Sequence, residues 1–230
     1  MNRMIAALVL CFLPGIPAQP LSAAAAPTVI LDPGHGGNDR GGIGADGLLE
    51  KEITLDLAKR VQKLIDQQLG YRTFLTRKED QEVSLDKRAA LANNQQGTLL
   101  VSIHLGGSPD TGLHGYGIYI AQAPDREGNT DAKGLLLWNR QSLFFAKQSR
   151  QLAESLHAAF AESFPRTPDL GIHPLALYLA RTVRMPTVLI EPAVLTNRED
   201  EAFLGQEKNR QALAEAIFQG LIRYRQSEKQ

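Results

Sequence analysis

The sequence predicts a single α/β domain, with helices flanking a largely parallel central sheet of about six strands. Short apolar and β-branched runs alternate along the chain with longer stretches whose apolar residues recur at helical spacing. One short run, at residues 98–103, is almost continuously apolar, which is typical of a strand covered on both faces of a sheet. Strands and helices that alternate in this way indicate a layered fold with a parallel sheet.

The first half of the chain contains three predicted strands and two predicted helices. Residues 28–31 form a short β-branched run and are predicted as the first strand. Residues 49–69 space their apolar side chains one helical turn apart, and a glycine follows where this helix would end. The second strand is predicted at residues 71–75. Ser84 is a suitable N-terminal cap for a helix that runs to residue 94, and the run at 98–103 is the third strand.

The second half repeats the alternation of strand and helix. Residues 115–121 are predicted as a strand, and the polar residues 121–134 as a loop. A long helix is predicted at 142–164, because its apolar side chains again fall on one face. A strand at 187–190 and a closing helix at 209–224 complete the predicted elements.

Residues 1–26 are predicted to be a secretory signal peptide, and residues 27–230 the folded domain. A positively charged start precedes an apolar run at 4–13 and small residues at 22–27, an order typical of a cleavable signal. The apolar run is too short to span a bilayer, so we expect an exported chain with no stable membrane insertion after cleavage. The one cysteine, Cys11, lies in this run. A metal site in the mature chain would therefore need nitrogen and oxygen ligands.

The charge balance argues against some classes of partner. The 230 residues include 25 basic and 25 acidic side chains, so the formal net charge is zero. We therefore expect neither nucleic acid nor an anionic membrane surface as the main partner. A hydrophobic content of 43% is ordinary for a globular protein.

Ionisable side chains follow three of the predicted strands. His35 stands four residues after Leu31, while His104 and Glu191 directly follow the strands at 98–103 and 187–190. An ionisable residue beyond a buried strand is costly unless it has a partner or a task. Ligands of open α/β sheets bind beyond the carboxyl ends of the strands. The three placements together predict a site at that edge of the sheet.

Glu50 is the fourth candidate, because a glycine-rich segment separates it from His35 and would let the chain fold back. Two imidazoles and one carboxylate, from His35, His104 and Glu50, form a His₂Glu set that is known to bind catalytic zinc and leaves one position open for water. Glu191 would then be the general base that takes a proton from that water.

Each candidate also has an ordinary explanation. His35 alone could be a turn residue, His104 a histidine with hydrogen-bond partners at a strand end, and Glu50 a helix N-terminal acid. Glu191 alone could pair with an arginine such as Arg77, Arg88 or Arg181. Asp32 is predicted either to orient an imidazole of the site or to stabilise the turn.

Seven short segments carry a family resemblance when they are taken in order. They are LDPGHGG at 31–37, EKEITL at 50–55, LTR at 75–77, SLDKRAALAN at 84–93, VSIH at 101–104, PTVLIE at 186–191 and LTN at 195–197. In this order they resemble the zinc-dependent N-acetylmuramoyl-L-alanine amidases, which cut peptidoglycan. The resemblance spans about residues 28–225.

The resemblance implies roles for the four candidates. His35, Glu50 and His104 would hold one Zn²⁺, Glu191 would be the catalytic glutamate, and residues 27–230 would be a zinc amidase catalytic domain. The substrate would be peptidoglycan, cut at the amide between N-acetylmuramic acid and the L-alanine of the stem peptide. We expect a monomer in the periplasm or cell wall, with a protein activator left open.

Two stretches depart from the family pattern. Leu105-Gly106-Gly107 stands where Ala-Asn-Ala is usual, and Pro192 follows Glu191 where glycine is usual, so a backbone donor is missing beside the base. Substrate preference therefore stays open. The alternatives are a zinc hydrolase of soluble muropeptides or other amides, and a non-catalytic peptidoglycan-binding protein on the same scaffold. The apolar stretches at 135–139 and 143–145 are predicted either to pack in the core or to form a flap near the cleft.

Overall fold

The structure is a computed structural model that describes residues 26–122 and 144–227. Most of the predicted signal peptide with Cys11, most of the predicted loop at 121–134 and the apolar stretch at 135–139 lie outside these ranges. No helix within the described ranges is both long enough and apolar enough to cross a membrane.

Strands and helices alternate through the described residues. The strands are β1 (Thr28–Pro33), β2 (Arg72–Leu75), β3 (Leu99–Ile103), β4 (Tyr116–Ala121), β5 (Asp169–Leu175) and β6 (Thr187–Glu191). The helices are α1 (Glu50–Gln68), α2 (Leu85–Asn94), α3 (Ala146–Ser163), α4 (Tyr178–Thr182), α5 (Arg198–Leu204) and α6 (Glu207–Ser227). The Ser84 side chain accepts a hydrogen bond from the Lys87 amide, as expected for the predicted cap of α2.

One six-stranded sheet joins the strands in the order β2-β1-β3-β6-β4-β5. The pairs among β2, β1, β3 and β6 are parallel, and β4 pairs with β5 in parallel. Only the β4–β6 pair of this sheet is antiparallel. The predicted α/β fold with a largely parallel sheet of about six strands is confirmed, and the carboxyl ends of β1, β3 and β6 meet at one edge.

Three elements were not predicted from the sequence. Strand β5 (DLGIHPL) lies at the sheet edge with no fully buried residue, and its glycine and proline are unfavourable in a strand interior. Helices α4 and α5 have 5 and 7 residues, too few for a helical period to stand out from chance. In each case tertiary packing, not a local pattern, decides the conformation.

Both faces of the sheet are covered, but unequally. Helices α1, α3 and α6 pack on one face, where the central strands contribute an apolar layer made of Val29, Leu31, Val101, Ile103, Val188 and Ile190. The short helices α2 and α4 pack around Ile30 and Leu100 on the other face. That second face also buries the polar residues Asp32 and Ser102, which lie near the edge where the candidate site forms.

Candidate metal centre

The register of the central strands brings the strand ends to one level. Pro33 pairs with Ile103, and Ile103 pairs with Ile190. The ladder continues one step further, because the Gly34 amide donates to the Ile103 carbonyl at 2.9 Å and the His104 amide donates to the Ile190 carbonyl at 3.0 Å. The predicted convergence of the three strand ends is therefore present.

His35, Glu50 and His104 come together at this edge. His35 Nε2 lies 3.1 Å from Glu50 Oε1, and His104 Nδ1 lies 3.0 Å from the same oxygen. The two imidazole rings are edge to face, with centroids 4.9 Å apart. One donor atom from each residue lies within 4.8 Å of the others. The three predicted ligands thus form one compact donor set.

Backbone groups hold the Glu50 carboxylate from two sides. Oε2 accepts from the Gly42 amide at 2.7 Å, and Oε1 accepts from the Leu105 amide at 2.9 Å. Burial opposes ionisation, but the hydrogen bonds from His104, His35 and these amides outweigh it and lower the Glu50 pKa. Glu50 is the first residue of α1, as predicted, and its carboxylate also serves the donor set.

His35 has a backbone conformation that is unusual for a residue with a side chain. Its φ is +59°, in the left-handed region that costs non-glycine residues free energy. Two buried arginines hold the carbonyls around it. Arg88 donates to Pro33 at 2.5 Å and to His35 at 2.6 Å, while Arg77 donates to Gly34 at 2.8 Å. These bonds fix the turn that aims the imidazole.

Asp39, not Asp32, orients the His35 imidazole. Asp39 Oδ2 lies 2.9 Å from His35 Nδ1. With Nδ1 held in this way, Nε2 is the ring nitrogen that faces Glu50 and the donor set. Asp39 was not singled out from the sequence, although a carboxylate four residues after His35 in a glycine-rich turn was an available signal.

Asp32 instead lies buried beneath the turn and supports it through hydrogen bonds. It accepts from Thr76 at 2.5 Å, from Ser102 at 2.7 Å and from Arg88 at 2.9 Å. Burial alone would raise its pKa, but these partners lower the Asp32 pKa overall. Of the two predicted roles for Asp32, the imidazole-orienting one is wrong and the turn-stabilising one is correct. Arg88 and Arg77 bind here, so neither pairs with Glu191.

Two glycines leave space for the donor set. A Cβ atom at Gly41 would lie 2.5 Å from His35 Cδ2 and 2.7 Å from Glu50 Oε2, and a Cβ at Gly34 would overlap the His104 ring. Gly41 also has a φ of +66°, which glycine adopts at little cost. The glycines therefore let the chain turn back between His35 and Glu50, and they also leave the space that the side chains of the donor set occupy.

Glu191 stands at the end of β6, beside the strand that leads to His104. Its Oε2 accepts a hydrogen bond from the Tyr119 hydroxyl at 3.0 Å. Burial raises the Glu191 pKa, and this outweighs the opposing effects of the Tyr119 hydrogen bond and the His104 charge. A carboxylate with a raised pKa near a donor set is suited to accept a proton.

The two departures from the family pattern lie against each other. The Gly106 amide donates to the Ala193 carbonyl at 2.9 Å, and the Leu195 amide donates to the Gly106 carbonyl at 2.7 Å. A Cβ at Gly106 would lie 3.1 Å from Glu191 Oε2 and from a Val194 methyl group. The glycine at 106 therefore fits the changed segment that begins at Pro192.

Helix α5 anchors the loops around the site with two carboxylates that sequence reasoning missed. Glu201 accepts from the amides of Asp46 at 3.0 Å and Leu48 at 3.2 Å. Asp200 accepts from the amides of Gly115 at 3.0 Å and Val194 at 2.7 Å. Because α5 was not predicted, no pattern marked these carboxylates as loop anchors.

The other described histidines lie apart from the donor set. His157, on helix α3, pairs with Asp169 of β5 at 2.7 Å. His173 belongs to β5, and its ring centroid lies 6.1 Å from that of Tyr119.

A cavity of about 500 Å³ opens beside His35 and His104. It lies between α4 and the segment leading into α2, with apolar walls that include Val83, Leu85 and Leu177. A space of this volume is large enough for part of an extended substrate.

Comparison with known proteins decides the family. The sequence profile described as "N-acetylmuramoyl-L-alanine amidase" matches residues 29–223. The chain belongs to the N-acetylmuramoyl-L-alanine amidase family.

This amidase-family chain matches only part of the length of two curated relatives. The N-acetylmuramoyl-L-alanine amidase LytC of Bacillus subtilis is 32% identical over 197 residues, which cover 86% of this chain and 35% of LytC. The amidase AmiC of Neisseria meningitidis is 31% identical over 219 aligned residues, covering 86% of this chain and 52% of AmiC. The chain therefore spans about a third to a half of the length of these relatives.

Solved amidase structures share the fold. An N-acetylmuramoyl-L-alanine amidase from Clostridium difficile 630 matches with a TM-score of 0.74 at 30% identity, over 89% of this chain and 100% of that one. An amidase from Nostoc punctiforme matches with a TM-score of 0.73 at 29% identity, over 87% of this chain and 97% of that one. Each of these matches therefore covers almost nine-tenths of this chain.

The donor set of this amidase-family chain fits a divalent metal. His35 Nε2, His104 Nδ1 and Glu50 Oε1 are nitrogen and oxygen ligands, and hydrogen bonds between the same atoms already hold them together. Asp39 fixes one imidazole from behind, as carboxylates commonly do for metal-binding histidines. Three protein ligands are the number that catalytic zinc sites use.

Proposed function

We propose that this chain is an exported, zinc-dependent N-acetylmuramoyl-L-alanine amidase. It hydrolyses the amide between the lactyl group of N-acetylmuramic acid and the L-alanine of the stem peptide. The observation that carries the proposal is that His35, Glu50 and His104 converge at one edge of the sheet. Strand β6 ends at the same edge with Glu191. Membership of the amidase family supports the substrate class.

His35, Glu50 and His104 hold the Zn²⁺ in this proposal. When bound, zinc supplies Lewis acidity, which makes a water molecule more acidic and an amide carbonyl more electrophilic. The backbone amides on Glu50 and the Asp39 carboxylate on His35 fix the ligand side chains. Little reorganisation is then needed when the ion arrives.

Glu191 is the general base and then the general acid. It accepts a proton from the attacking water, whose oxygen forms a new bond to the lactyl carbonyl carbon. It returns that proton to the L-alanine nitrogen as the carbon–nitrogen bond breaks. The products are a free lactyl carboxylate and a stem peptide with a free amino terminus. Its raised pKa favours the first transfer, because a stronger base takes the proton from water more readily.

The remaining features of the proposal concern location and partners. Residues 1–26 would direct export and be removed, leaving a chain in the periplasm or cell wall that is not inserted in a membrane. The domain of residues 27–230 would act as a monomer on peptidoglycan, and a protein activator is left open. None of these features is required for the chemistry at Glu191.

The test is to incubate purified chain with zinc and intact sacculi, and to measure free lactyl groups on glycan strands and new alanine amino termini. Glu50→Gln should lose zinc and activity together. Glu191→Gln should keep zinc and lose activity by about 10²–10⁴-fold. Glu52→Gln is the matched control, because Glu52 is an exposed acid in the first turn of α1.

The outcomes separate the three functions. Activity on soluble muropeptides but not on sacculi would favour the muropeptide hydrolase. Zinc binding and sacculus binding without release of either product would favour a non-catalytic binding protein. Loss of zinc from Glu191→Gln would contradict the role given to that residue.

A further inference from the structure

Tyr119 reaches from strand β4 across to Glu191 at the end of β6. Its hydroxyl donates to Glu191 Oε2 at 3.0 Å, between residues 72 positions apart in the chain. The sequence indicated only a strand at this position, and nothing in the family resemblance singled out Tyr119.

Strand register explains how the tyrosine reaches the carboxylate. β4 and β6 are antiparallel, with Gly117 opposite Glu191 and Tyr119 opposite Leu189. Tyr119 and Glu191 are thus diagonal neighbours on the same sheet face, within reach of a long side chain. Gly117 has no side chain, and a Cβ placed there would lie 3.4 Å from the Tyr119 hydroxyl oxygen. The glycine leaves room for the ring beside Glu191.

The hydrogen bond distinguishes the two oxygens of Glu191. Oε2 is held by Tyr119 and faces Gly106, where an added Cβ would lie 3.1 Å away. The described residues give Oε1 no hydrogen-bond partner. The tyrosine therefore restrains the rotamer of the Glu191 carboxylate and leaves Oε1 available to accept a hydrogen bond from another group.

We propose that Tyr119 is a positioning residue, which holds Glu191 by Oε2 so that Oε1 meets the attacking water. The inference rests on the proposed function, because it assumes that Glu191 is the general base. Tyr119 stays a donor at all working pH values, since burial and the nearby Glu191 charge raise its pKa to about 12. It exchanges no proton with the substrate and needs no contact with it.

A purely structural role is the competing explanation, because the Tyr119 ring also lies near His173. Tyr119→Phe keeps the ring and removes only the hydroxyl, so packing is conserved. Tyr116→Phe is the matched control. Tyr116 lies on the same strand but packs on the opposite face, with its ring centroid 5.2 Å from that of Phe160.

The experiment measures zinc content, kcat, KM and the pH profile of the full chain on a soluble disaccharide muropeptide or on sacculi. Tyr119→Phe should lower kcat about tenfold, as expected for loss of a hydrogen bond to a charged group, with KM and zinc content unchanged. The acidic limb of its profile should move to higher pH, because the bond that lowers the Glu191 pKa is lost. In a Glu191→Gln background the same change should have little further effect.

The outcomes keep the two proposals apart. If the wild-type chain with zinc releases no product from either substrate, the proposed function fails. That failure is seen in the wild type, so it is distinct from any effect of changing Tyr119. If the wild-type chain is active and Tyr119→Phe matches it in kcat and pH profile, the positioning role is overturned. Loss of zinc or of folding in Tyr119→Phe, or an equal kcat loss in Tyr116→Phe, would also overturn it.

Discussion

Arg88, on helix α2, donates a hydrogen bond to the backbone carbonyl of His35 at 2.6 Å. The same guanidinium bonds the carboxylate of Asp32 at 2.9 Å and is 4% exposed. A buried ion pair beneath the sheet edge thus holds the turn in which His35 has a left-handed backbone. We infer that the strain in this turn is offset by contacts made by residues outside it.

Arg88→Lys should weaken zinc binding about tenfold, because a lysine cannot bond Asp32 and the His35 carbonyl in the same fork geometry. The zinc dissociation constant, from competition with a chelator, checks this. Lys87→Ala is the control, since Lys87 is the exposed neighbour. Unchanged zinc affinity in folded Arg88→Lys would show that the turn holds its shape without the arginine.

Asp39→Ala should also weaken zinc binding, by about 10- to 100-fold. The carboxylate fixes the His35 ring by a 2.9 Å contact at Nδ1, and without it the ring can rotate and change its protonated nitrogen. Asp46→Ala is the matched control in the same glycine-rich segment, because Asp46 pairs only at 3.8 Å with exposed Arg198. Titration calorimetry on both variants measures the difference. Equal affinity would contradict the orienting role of Asp39.

Comparing Gly41→Ala with Gly47→Ala separates two effects of an added methyl group. One is the strain of a positive φ, and the other is a steric clash with the donor set. Both glycines have positive φ, +66° and +91°, so each alanine should cost about 1 kcal/mol of stability. Only at Gly41 would the new Cβ meet the donor set, whereas nothing lies within 4 Å at Gly47. Urea unfolding should show a loss of stability in both variants, larger in Gly41→Ala because of the crowding, and only Gly41→Ala should lose zinc. Zinc loss in both variants would point to the loop backbone instead.

The Asp32 pKa lies below its ordinary value, so its charge stabilises the fold at neutral pH. A depressed folded-state pKa adds stability above the unfolded-state pKa, and that contribution is lost as pH falls through the folded value. Asp32→Asn should therefore cost about 3 kcal/mol near pH 7, because Arg88 stays buried without its charge partner.

Urea unfolding of the metal-free chain between pH 7 and pH 3 checks this expectation. The difference between wild type and Asp32→Asn should shrink as the pH falls below about 4. A difference that stays constant with pH would show that shape, rather than the charge of Asp32, matters at this position.

Local patterns predicted most of the secondary structure and part of the site. Apolar periodicity located five of the six strands and the four longer helices within a few residues, because these elements bury a regular stripe or run of side chains. Edge strand β5 and the short helices α4 and α5 bury too little to leave a pattern. They form where the rest of the fold gives them a surface.

The sequence by itself determined that His35, His104 and Glu191 stand at strand ends, because buried parallel strands are apolar runs and the polar residues after them must meet at one edge. Only the tertiary structure decided what holds those side chains. Asp39, rather than Asp32, orients His35. The Tyr119–Glu191 bond spans 72 positions and depends on the antiparallel register of β4 and β6. Strand order and register are global results of packing, and no local stretch of sequence encodes them.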